Sequence, residues 1–282
     1  GTYGDGTEIG RIPEPNKEIV TLDDYRTRHA QYKTDPQLQE AHRQHPFITV
    51  WDDHEFANDA WVGGAEAHEA GETADGSWVS RRTAAAQAYF EWMPIREPAG
   101  VRSAIFRHFA FGNLVDLIML ETRVTGRDQQ AYDPIDDPSV RDPGRQMLGT
   151  AQEGWLLDQL DASAGRGTKW RVLGQQVMMG QLKVPPGEPI PYIIDERRSV
   201  AGNLDQWDGY AAARIALLDH IEQEEIDNVI VLTGDIHSSW GLEISKDPYL
   251  PASYDPLTGE GSLAVEFVAP GVTSPALEDP DL

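Results

Sequence analysis

Residues 229–237 read Val229-Ile230-Val231-Leu232-Thr233-Gly234-Asp235-Ile236-His237, an uninterrupted apolar run followed by a glycine, a carboxylate and an imidazole. Such a run, rich in β-branched residues, is typical of a strand buried within a sheet. Polar side chains that directly follow the strand lie at its carboxyl end, where binding sites form in α/β sheets. This stretch therefore predicts a sheet-based fold and a functional site at the end of one strand.

Three other apolar runs have strand character, and helical patterns lie between them. The strand-like runs are residues 47–51, 114–120 and 170–173. The helical patterns cover residues 22–33, 36–45, 81–92 and 210–225, and one more opens with the capping-box sequence Thr150-Ala151-Gln152-Glu153. Strands that alternate with helices predict a layered α/β fold, which we expect to form one large domain. The stretch 180–203 is rich in Pro and Gly and predicts one long loop.

The composition excludes several classes of function. The chain has 47 acidic and 23 basic residues, for a formal net charge of -24, so we expect no nucleic-acid partner. The absence of cysteine excludes disulfides, zinc-thiolate sites and cysteine nucleophiles. Any metal must therefore bind to oxygen and imidazole. The chain carries no signal-peptide pattern and no apolar run of membrane-spanning length. A mature secreted protein and a fragment would both lack a signal peptide.

Ionisable residues follow two of the predicted strands. Asp52-Asp53-His54-Glu55 comes directly after the run 47–51, and either forms a solvated loop or binds cations. Asp235 and His237 are two positions apart, so on an extended segment they would point to the same side. Carboxylates and imidazole together suit iron, manganese, calcium or zinc. If the strands are parallel neighbours, these clusters would converge.

Arg123 follows the apolar run 114–120 and is open to two interpretations. A guanidinium group matches the geometry of a phosphate, which favours a role in binding substrate. A structural ion pair with Glu121 or Asp116 is an equal alternative.

Three polar residues in the second half of the chain are weaker candidates. Gln176 follows the run 170–173 and could be a metal ligand, although hydrogen bonding in the core is the commoner use of glutamine. Asp208 could be the N-cap of a helix. Asp205 and Asp208 could instead help to close the site.

Several motifs resemble the alkaline phosphatase D family, and they occur in the family's order over nearly the whole chain. They are Leu22-Asp23-Asp24-Tyr25-Arg26, Trp51-Asp52-Asp53-His54-Glu55 with Asn58-Asp59, Ala88-Tyr89-Phe90-Glu91-Trp92-Met93-Pro94, Trp207-Asp208-Gly209-Tyr210 and Thr233-Gly234-Asp235-Ile236-His237. The resemblance implies a four-layer metallophosphoesterase-like sandwich, in which two mixed sheets are flanked by helices. It also implies Asp53, Asp235 and His237 as metal ligands and His54 as an acid or phosphate-contacting group. Arg123 is the second candidate catalytic residue beside His54. Further candidates for contact with metal or phosphate are Asp52, Asn58, Gln176, Asp205 and Asp208.

The resemblance also carries expectations about activity and partners. It implies metal-dependent hydrolysis of phosphate monoesters or diesters with Fe3+ and Ca2+, although other divalent metals would fit, and it implies a secreted enzyme. One alternative is a phospholipase D-type phosphodiesterase that acts on phospholipids or glycerophosphodiesters, and another is an inactive calcium-stabilised fragment. Family members have further metal ligands and a β-sandwich upstream of the matching region. Residues 1–282 are accordingly expected to be part of a catalytic domain whose site a second segment of the same precursor completes.

Overall fold

A computed structural model describes residues 10–66, 68–69, 75–96, 105–131, 137–184, 200–201 and 203–272. The chain divides into two compact units. One unit contains Gly1–Ile105 with Arg123–Thr125 and is called here the helical unit; the other contains Phe106–Thr122 with Gly126–Leu282 and is called the sheet unit. Within the described ranges, every helix is too short or too polar to cross a membrane.

The helical unit contains three α-helices, α1 (Leu22–Tyr32), α2 (Pro36–Gln44) and α3 (Trp78–Trp92), and a short 3-10 helix, Asp53–Glu55. Thr21 and Asp24 form a reciprocal capping box that starts α1. Asp35 accepts hydrogen bonds from the first turn of α2, which begins with proline. The sequence predicted these helices correctly, although α3 begins three residues before the predicted start at residue 81.

Trp51 is the centre of the helical unit's core, and its environment corrects one prediction. Its indole is fully buried and packs edge-on against Phe56, Tyr89 and Phe90, with ring centroids 5.1, 5.6 and 5.9 Å away. The predicted strand at residues 47–51 is wrong, because this segment forms no ladder. Here the apolar pattern reflects packing between aromatic rings rather than burial in a sheet.

The sheet unit is built on a mixed six-stranded sheet. Its strands are β1 (Arg107–Phe111), β2 (Val115–Met119), β3 (Trp170–Gly174), β6 (Val229–Thr233), β7 (Trp240–Ile244) and β8 (Ala264–Val268). They lie in the order β1-β2-β3-β6-β8-β7, in which β2, β3, β6 and β8 are parallel and the two edge strands are antiparallel. The α/β class is confirmed, while the four-layer sandwich with two mixed sheets stays a prediction.

Two helices and a ribbon complete the described part of the sheet unit. Helices α4 (Thr150–Gly165) and α5 (Ala211–Gln223) supply apolar side chains to a core shared with β2, β3 and β6. The strands β4 (Lys183–Val184) and β5 (Val200–Ala201) pair within the predicted loop 180–203, of which residues 185–199 and 202 lie outside the described residues. Short 3-10 helices cover Pro138–Arg141 and Trp207–Tyr210.

The start of α4 differs from the prediction. Gly149, with φ 72°, is its N-cap, and no side-chain capping bond forms, so the capping box predicted at Thr150 is wrong. A Cβ at position 149 would lie 2.8 Å from the Cα of Gly126, and only glycine fits this close approach in a left-handed conformation. Backbone packing therefore decides this helix start.

The neighbouring parallel strands β2, β3 and β6 bring their carboxyl ends to one edge of the sheet. For these three strands the predicted convergence is confirmed. The segment before Asp52 belongs to no strand, so the same argument does not extend to the acidic run that follows it.

Candidate functional site

The residues 52–66, called here the acidic loop, begin with reciprocal capping. The backbone N–H of Asp53 donates to Asp52 Oδ1 at 2.9 Å, and the N–H of Asp52 donates to Glu55 Oε2 at 2.6 Å. Asp53 is buried, and its Oδ2 accepts the N–H of Asp59 at 2.7 Å. Side-chain hydrogen bonds to the backbone thus fix the Asp53 carboxylate in one place.

Arg123 neutralises part of this loop's negative charge. Its guanidinium is fully buried, its Nε donates to Asp52 Oδ1 at 2.6 Å, and its Nη2 lies 3.9 Å from Asp53 Oδ1. Arg123 thus forms a structural ion pair, and Asp52 is one of its partners. Asp116, one of the partners considered, instead accepts from Arg166 at 2.7 Å and lies 2.7 Å from His108 Nε2. A phosphate-binding role for Arg123 stays a prediction.

The acidic loop still carries excess negative charge. Burial, together with the charges of Asp52 and Asp53, raises the pKa of Glu55 to about 7 against the lowering effect of a backbone hydrogen bond. Carboxylates held this close favour either a proton or a cation between them. The oxygen donors of the loop therefore fit a hard metal ion such as calcium or iron.

His54 and Asn58 lie on one side of the acidic loop. The His54 side chain is 45% exposed, and its Nε2 lies 2.9 Å from Asn58 Oδ1. Asn58 is buried and donates from Nδ2 to Glu66 Oε2 at 2.6 Å. Three side chains of the loop thus form one hydrogen-bonded row, whose last member, Glu66, was not identified from the sequence.

Residues 234–238, called here the β6 turn, hold the second set of candidates. Asp235 has φ 66° and His237 has φ 55°, so both are in the left-handed region that non-glycine residues rarely adopt. The extended segment expected from the sequence is wrong, because the ladder between β6 and β8 ends at Thr233 and the chain then bends. Strained backbone of this kind clusters at functional sites.

Gln206 fixes the Asp235 carboxylate within the sheet unit. Its Nε2 donates to Asp235 Oδ2 at 2.6 Å, and its Oε1 accepts the backbone N–H of Met178 at 2.5 Å. Because a backbone N–H can only donate, the Gln206 amide must present its NH2 group to Asp235. Sequence analysis missed Gln206, and no local pattern distinguishes it from other buried glutamines.

Gln176 lies at the end of β3, where its amide joins two strand ends. Oε1 accepts the N–H of Thr122 at 2.9 Å and its hydroxyl at 2.5 Å, and Nε2 donates to the Leu120 carbonyl at 3.1 Å. These bonds are the core hydrogen bonding that was weighed against ligation.

Asp205 and Asp208 also have structural partners. Asp205 pairs with the buried Arg127. Asp208 accepts the N–H of Leu182 at 2.9 Å, and burial raises the pKa of Asp208 to about 6. The predicted N-cap role of Asp208 is wrong, because Gln206 precedes the 3-10 helix in which Asp208 lies. Metal or phosphate binding by these residues stays a prediction.

The chain is similar to known proteins over nearly its whole length. The family model of PhoD-like phosphatases matches residues 1–282. Alkaline phosphatase D of Bacillus subtilis (strain 168) is 36% identical over 274 residues, which cover 95% of this chain and 43% of that protein. A solved structure of PhoD matches with a TM-score of 0.78 at 36% identity, over 92% of this chain and 46% of that one. The chain thus spans less than half the length of these relatives. These matches confirm the resemblance seen in the motifs, and the chain belongs to the PhoD-like phosphatase family.

Proposed function

We propose that this chain takes part in metal-dependent hydrolysis of phosphate monoesters or diesters. The observation that carries the proposal is the β6 turn, in which a carboxylate and an imidazole both occupy left-handed backbone at the end of a central parallel strand. Membership of the PhoD-like phosphatase family supplies the reaction class.

The proposed metal ligands are Asp53, Asp235 and His237, and the proposed metals are iron and calcium. Hydrogen bonds hold Asp53 and Asp235 before any ion binds, which lowers the cost of forming a site. Oxygen and imidazole donors suit these ions, and the chain contains no thiol. A bound metal would polarise a phosphoryl oxygen and make a bound water more acidic.

His54 and Arg123 have proposed roles in handling the substrate. His54 is partly exposed, so it can donate a hydrogen bond or a proton to the alcohol that leaves. Arg123 is fully buried and holds Asp52, so it balances carboxylate charge and can stabilise charge on the ester.

The decisive experiment uses the full-length protein, stripped of metal with a chelator and reloaded with iron, calcium, manganese or zinc one at a time and in pairs. p-Nitrophenyl phosphate and bis(p-nitrophenyl) phosphate report monoesterase and diesterase activity. We expect activity to disappear on stripping and to return with iron and calcium. Undiminished hydrolysis by protein shown to be free of metal would contradict the proposal.

A further inference from the structure

We propose that Glu66 is a positioning residue which, through Asn58, holds His54 with a proton on Nε2. The inference deepens the proposed function, on which it rests only for the claim that His54 acts on a phosphate ester. The hydrogen-bonded row runs from Glu66 Oε2 to Asn58 Nδ2 at 2.6 Å and from Asn58 Oδ1 to His54 Nε2 at 2.9 Å.

The order of donors along this row follows from Glu66. A carboxylate accepts hydrogen bonds and does not donate them, so Asn58 must turn its NH2 group toward Glu66. The Asn58 carbonyl oxygen then faces His54, and this oxygen can only accept. The ring nitrogen opposite it, Nε2, must therefore carry the proton. This assignment does not depend on telling the amide oxygen and nitrogen of Asn58 apart.

The second neighbour of Nε2 leads to the same tautomer. Asp53 Oδ2 lies 3.9 Å from His54 Nε2 and is also an acceptor. A lone pair on Nε2 would face both the Asn58 oxygen and the Asp53 carboxylate, which would be repulsive. A proton on Nε2 is attracted to both of them.

The backbone of the acidic loop keeps Glu66 within reach of Asn58. The N–H of Glu66 donates to the Asn58 carbonyl at 3.0 Å, and Trp61 pairs with Gly64 across the intervening turn. A Cβ on Gly64 would lie 2.6 Å from Trp61 Cζ2, so a larger residue would force the indole that covers the turn to shift. Asn58 is thus joined to Glu66 by one backbone and one side-chain hydrogen bond.

The position of His54 gives this row a purpose. The His54 side chain is 45% exposed and lines a cavity of about 200 Å³ together with Lys17 and Arg28. A half-exposed imidazole without a fixed partner samples several rotamers and both tautomers. The row from Glu66 restricts His54 to one ring orientation and one tautomer. With Nε2–H committed to Asn58, Nδ1 is the nitrogen that remains available to a bound ester, and it donates a proton there only when the ring carries a second proton.

The test measures the tautomer and the kinetics of the full-length protein. Long-range 1H–15N correlation spectra of the metal-stripped protein assign the protonated nitrogen of His54, and kcat and KM are measured after reloading. In the wild type we expect Nε2–H. Glu66→Gln offers Asn58 a donor as well as an acceptor, so a population with Nδ1–H should appear. We expect kcat to fall by about 10- to 100-fold with KM little changed, as is typical when the partner that orients a functional group is lost.

Two further variants separate positioning from general damage to the loop. Glu69→Gln changes an exposed glutamate nearby and should leave the His54 spectrum and kcat unchanged. Asn58→Ala removes the intermediate acceptor and should release His54 as Glu66→Gln does. A wild-type Nδ1–H tautomer, or a His54 spectrum unchanged in Glu66→Gln, would overturn the proposal. If the spectra behave as expected but no ester is hydrolysed, the positioning role stands and the proposed function fails.

Discussion

The acidic loop and the β6 turn both present candidate ligands, but they hold them by different means. In the acidic loop, Asp53 lies in a 3-10 helix, and side chains capture backbone N–H groups around it. In the β6 turn, Asp235 and His237 lie in a left-handed backbone directly after a strand. Within the acidic loop, the residue with left-handed backbone is Asp59, which is not a candidate ligand.

The two segments therefore differ in the kind of interaction that destabilises them. The acidic loop concentrates negative charge, which Arg123 partly offsets, whereas the β6 turn concentrates backbone strain. Substitutions that change the charge of the acidic loop should therefore have little effect on the strain of the β6 turn, and substitutions that change the strain should have little effect on the charge balance. The predictions below use this contrast, beginning with the largest expected effect.

Removal of a candidate ligand from the β6 turn should have the largest effect on function. We expect Asp235→Asn and His237→Ala each to lower kcat/KM by at least about 100-fold and to lower metal content, because a direct ligand should matter more than the outer partners that orient it. Atomic absorption and p-nitrophenyl phosphate assays measure the two effects. Asp158→Asn on the exposed side of α4 and His45→Ala at an exposed position are the matched controls. Normal metal content and turnover in either ligand variant would remove that residue from the site.

Loss of Arg123 should have the largest effect on stability. In Arg123→Met the buried Asp53 and the partly buried Asp52 lose their cation, and we expect the free energy of unfolding to fall by about 3 kcal/mol. Arg26→Met is the control in the same unit, since Arg26 makes a two-pronged pair with Glu91 at the surface, where solvent screens a salt bridge and its loss should change stability little. Urea unfolding of the metal-free proteins measures both. Equal losses in the two variants would show that burial of Arg123 adds nothing.

The sequence was sufficient to predict the elements whose apolar side chains pack into the core of the sheet unit. The strand β6 is an uninterrupted apolar run, and β2 and β3 are apolar apart from Asp116 and Arg171. Their parallel pairing follows from the helices between them. β8 was not predicted from the sequence, and its central residue is the charged Glu266. In the structure this carboxylate is buried, with a pKa raised by burial, and accepts the N–H groups of Met179 and Gly180.

The sequence predicted which types of residue form the candidate site, but it did not predict the residues that hold them in place. Asp53, Asp235 and His237 stand out as ionisable residues after apolar runs. Glu66 and Gln206 do not, because their roles depend on a turn and on a contact between distant segments. The left-handed backbone at Asp235 and His237 was also out of reach, because no glycine marks either position.

His29 makes the folding stability of the helical unit depend on pH, and this effect can be separated from the chemistry of the acidic loop and the β6 turn. It lies on α1 with its ring 6.2 Å from that of Tyr89, and burial, helped by the charge of Lys33, lowers the pKa of His29 to about 4. The unfolded chain therefore takes up this proton near pH 6.5 and the folded chain only near pH 4, so stability falls as the pH drops through this window. We expect the wild type to lose about 2 kcal/mol more than His29→Gln between pH 7 and pH 4. Parallel losses in urea unfolding at the two pH values would contradict this.

The smallest expected effect is the difference in stability between glycine and alanine variants. It is also the sharpest test of the comparison, because its sign should differ between the β6 turn and the acidic loop. At position 237 a glycine should be more stable than an alanine by about 1 kcal/mol, because the left-handed backbone penalises any Cβ. At position 53, inside the 3-10 helix, the order should reverse by a similar amount, because glycine there only adds freedom to the unfolded chain. Comparing Ala with Gly at each position cancels the loss of the native side chain. Urea unfolding of the four metal-free variants gives the two differences. The same sign at both positions would show that strain in the β6 turn does not distinguish it from the acidic loop.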